Sequence, residues 1–102
     1  LSNASEGLLP DVFALHQNYP NPFNPITTIR FDIPEESRVS IDIYNVMGQK
    51  VAEVVDAYYQ PGFYSVNWGG TNTLGGALSS GMYFYRIQAK NFTAVKKLLL
   101  VK

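Results

Sequence analysis

Three X-Pro pairs fall within eight residues, Asn18-Tyr19-Pro20-Asn21-Pro22-Phe23-Asn24-Pro25, and together they forbid a helix across this segment. Each proline ring locks its own φ, removes an amide donor and pushes the residue before it toward extended backbone. The asparagines between the prolines can close Asx-turns. Tyr19 and Phe23 are expected to be apolar anchors that pin the segment onto a core, and Tyr19-Pro20 is the candidate for a cis peptide. A flexible linker does not spend two aromatics on an Asn-Pro rhythm. The segment therefore reads as the structured beginning of a domain.

Downstream the hydrophobic period is two. Ile29, Phe31 and Ile33 alternate with polar residues, as do Val39, Ile41 and Ile43, which is the signature of half-buried strands. Pro34-Glu35-Glu36-Ser37 reads as the turn between them, so that Asp32 and Asp42 are expected on the outward phase of neighbouring strands. Met47-Gly48-Gln49 is a tight turn with Gly48 at positive φ. A strand over Lys50 to Val55 follows. Tyr59-Gln60-Pro61-Gly62 has the Pro-Gly order of a type II turn. Tyr64, Val66 and Trp68 alternate along the next strand, and Gly69 to Gly81 is a glycine-rich loop. Met82 to Ala89 is β-prone and aromatic, with Tyr83, Tyr85 and Ile87 on one face. Lys90-Asn91 then turns the chain into a last strand, Phe92 to Val101. With no helix-period segment, the pattern predicts an all-β fold, an immunoglobulin-like antiparallel β-sandwich of about seven strands.

The 102 residues suffice for one small domain with one core. An apolar content of 46% with 14% aromatics marks a folded chain. Residues 1–14 read as a linker or tag-derived tail and residues 15–102 as the domain. Ser2-Asn3-Ala4 resembles the remnant of an expression tag, and Leu1 to Gly7 is too small and polar for a signal peptide, so the chain is expected to be a piece of a longer protein. No stretch reaches the length of a transmembrane helix. The absence of cysteine removes disulfides, thiolate metal sites and thiol catalysis. All eight acidic residues lie at or before Asp56, and the five charges after it are all basic. An acidic half against a basic half is either internal pairing or a basic end presented to a partner.

Little in the chain could carry chemistry. His16 is the single histidine and lies far in sequence from any Ser-Asp pair, whereas a triad needs base, nucleophile and orienting group in one cleft. Glu35 and Glu36 read as solvated turn charges, and paired carboxylates across a pocket, as a glycosidase needs, are not in evidence. Loop carbonyls with Asp56 or Asn72 are a weak calcium pattern. The glycine-rich loop lacks the lysine and helix of a phosphate cradle. No catalytic residue, cofactor site or metal site is expected. Nor is nucleic acid, because the basic residues cluster at one end instead of spreading over an aromatic face. Trp68, Tyr58, Tyr59 and Tyr64 could form a sugar-stacking platform if exposed; as inward-phase residues, Tyr64 and Trp68 belong to the core instead. The run Ala94 to Lys102 is apolar and bracketed by lysines. As a sheet edge it would be guarded by those lysines, or be used as a handle by a partner that adds a strand, and it could support a strand-exchanged homodimer.

Taken in order, the Asn18 to Pro25 motif, Thr27-Thr28-Ile29-Arg30-Phe31, Val39 to Val51 with Tyr44-Asn45 and Gly48, Pro61 to Tyr64, Trp68-Gly69-Gly70-Thr71, Ser80 to Arg86 and Lys96 to Lys102 resemble the C-terminal sorting domain of the type IX secretion system of Bacteroidetes and relatives. That immunoglobulin-like sandwich is similar to the one in flagellar hook-capping proteins. The resemblance implies a non-catalytic tail on a larger secreted passenger protein. An outer-membrane translocon recognises such a tail after passage through the periplasm, and a sortase commonly removes it, leaving the passenger secreted or at the cell surface. It implies recognition through Lys96, Lys97, Leu98, Leu99, Leu100, Val101 and Lys102, together with Gly81 and Tyr83. Asn18, Tyr19, Pro20, Asn21, Pro22, Phe23, Asn24, Pro25, Tyr44, Asn45, Gly48 and Trp68 are implied as structural motif positions. One departure is that Trp68 is followed by Gly69-Gly70 instead of an acidic residue and Gly. The alternative from another class is a carbohydrate- or protein-binding sandwich module appended to a secreted enzyme, which an exposed Trp68 would favour.

Overall fold

The structure, a computed structural model, describes residues 8–102. The tail reading over residues 1–7, with its Ser2-Asn3-Ala4 remnant, lies outside them. Seven strands form: β1 (Ala14–Leu15), β2 (Thr27–Ile33), β3 (Ser37–Tyr44), β4 (Lys50–Tyr59), β5 (Gly62–Trp68), β6 (Gly81–Ala89) and β7 (Phe92–Leu100). They build two antiparallel sheets, one of three strands in the order β1-β2-β5 and one of four in the order β4-β3-β6-β7. This is the expected all-β sandwich.

Alternation decides what lies between the sheets. Ile29, Phe31 and Ile33 from β2 face Val39, Ile41 and Ile43 from β3 and Tyr85 and Ile87 from β6, all fully buried. Each such side chain removed from water contributes about 1.5–3 kcal/mol, so this interface supplies most of the driving force. Aromatics close both ends of the core. Tyr59 packs edge-on against Tyr64 with centroids 4.7 Å apart, and both contact Phe31. At the other end Trp68 lies between Phe23, at 5.7 Å, and Tyr83, at 6.2 Å.

Local chemistry sets the turns. Asn45 Oδ1 accepts the Met47 and Gln49 amides at 2.9 and 3.0 Å, and Gly48 takes φ 81 to close the β3–β4 hairpin, as the turn signal required. Asn72 repeats the device within the long loop, accepting from the amides of Leu74 and Gly76. β6 and β7 are joined by the two residues Lys90 and Asn91, with Lys90 at φ 50.

Three expectations need correction. β2 and β3 are not neighbours: the chain crosses from one sheet to the other at Pro34–Glu36, so Asp32 and Asp42 sit on opposite sheets. An alternating pattern reports which face is buried but not which strand lies alongside. β4 runs on to Tyr59 instead of stopping at Val55, because Asp56 and Tyr58 still pair with Ser40 and Arg38. Tyr19 is no side-chain anchor, being 80% exposed; it is held by its backbone, which exchanges both hydrogen bonds with Thr28. Phe23 alone is the anchor, 1% exposed. The peptide before Pro20 is cis, as are those before Pro22 and Pro25.

Candidate functional site

The residues singled out at the two ends of the sequence meet in space. β7 is the outer strand of the four-stranded sheet, and the proline motif lies along its free edge. Phe23 N–H donates to the Leu99 carbonyl at 3.0 Å, and Val101 N–H donates back to the Phe23 carbonyl at 3.1 Å, forming a short parallel bridge. Asn21 Oδ1 accepts the Leu99 amide at 2.9 Å, and Gln17 Nε2 donates to the Lys97 carbonyl at 2.7 Å. The last strand is an edge, as anticipated, but its second half is clamped. The reason is long-range, since residues 76 to 80 positions apart supply each other's backbone partners.

The clamp is in turn fixed by a buried polar network. Asn18 and Thr27 are nearly or fully excluded from solvent, and a buried polar group is costly without partners. Asn18 Nδ2 donates to Thr27 Oγ1 at 2.9 Å and to the Pro20 carbonyl at 3.2 Å, while Thr27 Oγ1 donates to the same carbonyl at 2.8 Å. Asn18 N–H donates to Tyr85 Oη at 2.8 Å, and Tyr85 O–H donates to the His16 carbonyl at 2.7 Å. Burial pushes the Tyr85 hydroxyl up to about 12, against the smaller opposing effect of the Asn18 amide. Sequence reading assigned Asn18 to the motif but missed Gln17, Thr27 and the Tyr85 hydroxyl. The available signal was that a tyrosine on the inward phase of a strand needs a partner for its O–H.

The remaining implied recognition residues divide by exposure. Leu98 and Leu100 are core, Leu99 is half-buried, and Tyr83 is buried with its hydroxyl donating to the Ser79 carbonyl at 2.7 Å. Gly81 opens β6 at φ 151, a backbone that a side chain would strain. Lys97, Val101 and Lys102 are exposed and Lys96 is half-buried. Among the described residues no carboxylate pairs with Lys96, Lys97 or Lys102; the ion pairs lie elsewhere, as with Arg38–Asp56 at 2.7 Å and Lys90–Glu35 at 2.8 Å. The basic end is therefore not consumed by internal pairing with the acidic half.

The other polar groups are in structural use. His16 Nε2 lies 2.9 Å from Asp32 Oδ2 and ties β1 to β2. Asp42 Oδ1 is buried and makes no well-formed hydrogen bond, but its charge is balanced by Lys50 Nζ at 3.4 Å. Lys50 also pairs with Glu53, and the two carboxylates hold its pKa above the ordinary lysine value. Asp56 is engaged by Arg38, and the Asn72 carbonyl by two amides, so neither is a free ligand. Trp68 is 6% exposed with its indole N–H donating to the Thr71 carbonyl at 3.0 Å, and Tyr59 and Tyr64 are packed together; only Tyr58 of the four aromatics stands out in solvent. The sugar-stacking platform does not form.

Comparison with solved structures gives two likenesses to Porphyromonas gingivalis proteins. Dimeric latent PorU matches with a TM-score of 0.72 and 23% identity, over 93% of this chain and 10% of that one. PorZ, described as an essential bacterial surface component of the type-IX secretion system, matches with a TM-score of 0.56 and 16% identity, over 90% of this chain and 12% of that one. Both show the shared fold, and the chain spans about a tenth of each. Comparison with curated protein sequences returns no match. The family described as the secretion system C-terminal sorting domain matches residues 17–102, from the first residue of the clamp through the last strand to Lys102. The chain belongs to that sorting-domain family, whose type IX members mark proteins for the cell surface or the extracellular space.

Proposed function

We propose that this chain is a non-catalytic address carried behind a passenger protein, with the fold from β1 to Lys102 as the signal and the residues before β1 as the connection to the passenger. The type IX translocon of the outer membrane is the partner that reads it, and a sortase acts on the passenger afterwards. The reading rests above all on one observation: the last strand forms a sheet edge whose lysines have no internal carboxylate partner among the described residues. A basic, rigidly held edge suits recognition by a large receptor better than small-molecule chemistry. Lys96, Lys97, Val101 and Lys102 are the contact residues. Leu98, Leu100, Tyr83 and Gly81 act by setting the strand's shape. The binding-module alternative loses its main support with Trp68 in the core.

The test is a secretion assay in a bacterium with the type IX machinery, using the chain behind a signal peptide and a fluorescent reporter. Removing Lys96 to Lys102 outright would also delete the buried Leu98 and Leu100, so the informative variant is the triple Lys96→Ala, Lys97→Ala, Lys102→Ala. Reporter at the surface for the parent and in the periplasm for the folded triple variant is the expected result. A parent retained in the periplasm refutes the address, and unchanged export of the triple variant refutes the lysines as its handle.

A further inference from the structure

The edge of β7 is only half clamped. Residues along a strand alternate in the edge to which their amide and carbonyl point. Leu99 and Val101 bond outward to the proline motif, and β6 and β7 pair without a register shift from Ala89↔Phe92 to Gly81↔Leu100. The outward-pointing backbone groups of β7 therefore belong to Thr93, Val95, Lys97, Leu99 and Val101. The last two and the Lys97 carbonyl are taken by Phe23, Asn21 and Gln17. The amides and carbonyls of Thr93 and Val95, and the Lys97 amide, have no partner among the described residues. This window of unpaired backbone spans about 13 Å at roughly 3.3 Å per residue, the length of a short added strand, and is bordered by β1 and by Phe13, whose ring stacks on Phe92 with centroids 5.6 Å apart.

The surroundings say what such a strand would carry. Val95, 55% exposed, borders a shallow depression of about 310 Å³ on the outer sheet face, walled by Tyr44, Val46, Phe84 and Arg86. Lys97, on the same face as Val95 and opposite Phe84 in the ladder, has no carboxylate partner among the described residues; Lys96 lies on the other, core-facing phase of the strand and is half-buried. Arg86, which donates to Tyr44 Oη at 2.8 Å, adds a second cation on the outer face.

We propose that the window Thr93–Lys97 is a strand-addition site for an extended segment of a partner protein. That segment places an apolar side chain beside Val95 and a carboxylate beside Lys97. Backbone bonds supply the attachment, and the depression and Lys97 supply the selection. A second copy of this chain is the poorer occupant, because it would bring its own lysines to the same edge without a carboxylate. The inference rests on the sorting reading and narrows its contact from the whole terminal strand to the half that the proline motif leaves open.

The decisive variant is Val95→Pro. Its amide faces away from β6, so the proline removes a bond used only by an incoming strand, as an edge strand tolerates. Thr93→Pro does the same nearer the turn and stands in if Val95→Pro melts far below the parent. The variant Lys97→Glu tests the charge. All are read in the secretion assay on the full chain, with thermal melting to confirm folding and sedimentation for size. The expected result is an exported parent, with surface reporter for the folded proline variant down by about tenfold, the equivalent of one or two net hydrogen bonds, and a similar fall for the charge reversal. A folded proline variant exported like the parent overturns strand addition while leaving the sorting reading intact. Normal export of the charge reversal overturns the acidic partner. A parental dimer that the proline variant converts to monomer assigns the edge to a second copy instead. A parent that is itself retained refutes the sorting reading, and the inference falls with it.

Discussion

Replacing Phe23 by alanine tests whether the proline motif is part of the fold. The ring is 1% exposed and touches Trp68 at 5.7 Å between centroids. An aromatic side chain buries about 150–250 Å², and at about 25 cal/mol per Å² the portion lost on truncation to alanine corresponds to about 3–4 kcal/mol. Loss of the aromatic contact with Trp68 adds about 0.5–1 kcal/mol. The expected destabilisation is about 3–5 kcal/mol, in line with measured large-to-small core changes. A domain of this size holds about 5–15 kcal/mol in total, so the variant should remain folded but be easily unfolded. Urea denaturation followed by Trp68 fluorescence is the assay, and the midpoint should fall by about 2 M with little change in slope. Amide exchange adds a local reading: the Val101 amide, bonded to the Phe23 carbonyl, should exchange faster in the variant than amides of β3. A stability change below about 1 kcal/mol would refute the reasoning, since it would mean that the ring fills no space the core needs.

Other substitutions report on neighbouring features. Tyr85→Phe strips the Asn18 amide and the His16 carbonyl of their buried partner and should cost about 1–3 kcal/mol in chemical denaturation. The raised pKa of the Tyr85 hydroxyl, about 12 against an ordinary 10.0, means that the folded state favours the neutral phenol. That stability is complete below pH 10 and is lost as pH rises from 10 toward 12; denaturation across this range should show an alkaline loss in the parent that Tyr85→Phe lacks. Gly48→Ala forces a Cβ onto φ 81 and should cost about 1–2 kcal/mol by thermal melting, despite open space around the position. Arg38→Ala removes an exposed ion pair with Asp56 and should change stability by less than about 1 kcal/mol, with the difference shrinking further in high salt.

Much of the fold was legible because alternation is local. The inward sets on β2, β3 and β6, the Gly48 turn and the core position of Trp68 all follow from period two and turn chemistry within a few residues. What escaped depends on partners far along the chain. Whether β2 pairs with β3 or with β5 leaves the same alternation in each strand, so sheet membership was misjudged at the Pro34–Glu36 crossing. Tyr19 and Phe23 look alike as aromatics in a proline motif, yet one is in solvent and the other in the core; the difference lies in which side of the clamp each faces. The half-closed edge of β7 was invisible for the same reason. Lysines mark an edge, but only the hydrogen bonds from Gln17, Asn21 and Phe23 show where it is already taken.

The bond between Asn21 and Leu99 also has a consequence for the order in which the chain can fold. It closes a loop of 78 residues, nearly the whole domain, and the network through Tyr85 closes one of 67. Such contacts form late, after the shorter hairpins β3–β4 and β6–β7 have reduced the entropy of closure. A nascent chain can build the β3–β4 hairpin while its proline motif is still unattached, because β7, which receives the motif, follows the other strands. A chain broken off before β7 leaves Asn21 and Phe23 without partners, whatever else it has folded. The clamp therefore registers that synthesis has run through β7, and it does so by geometry alone.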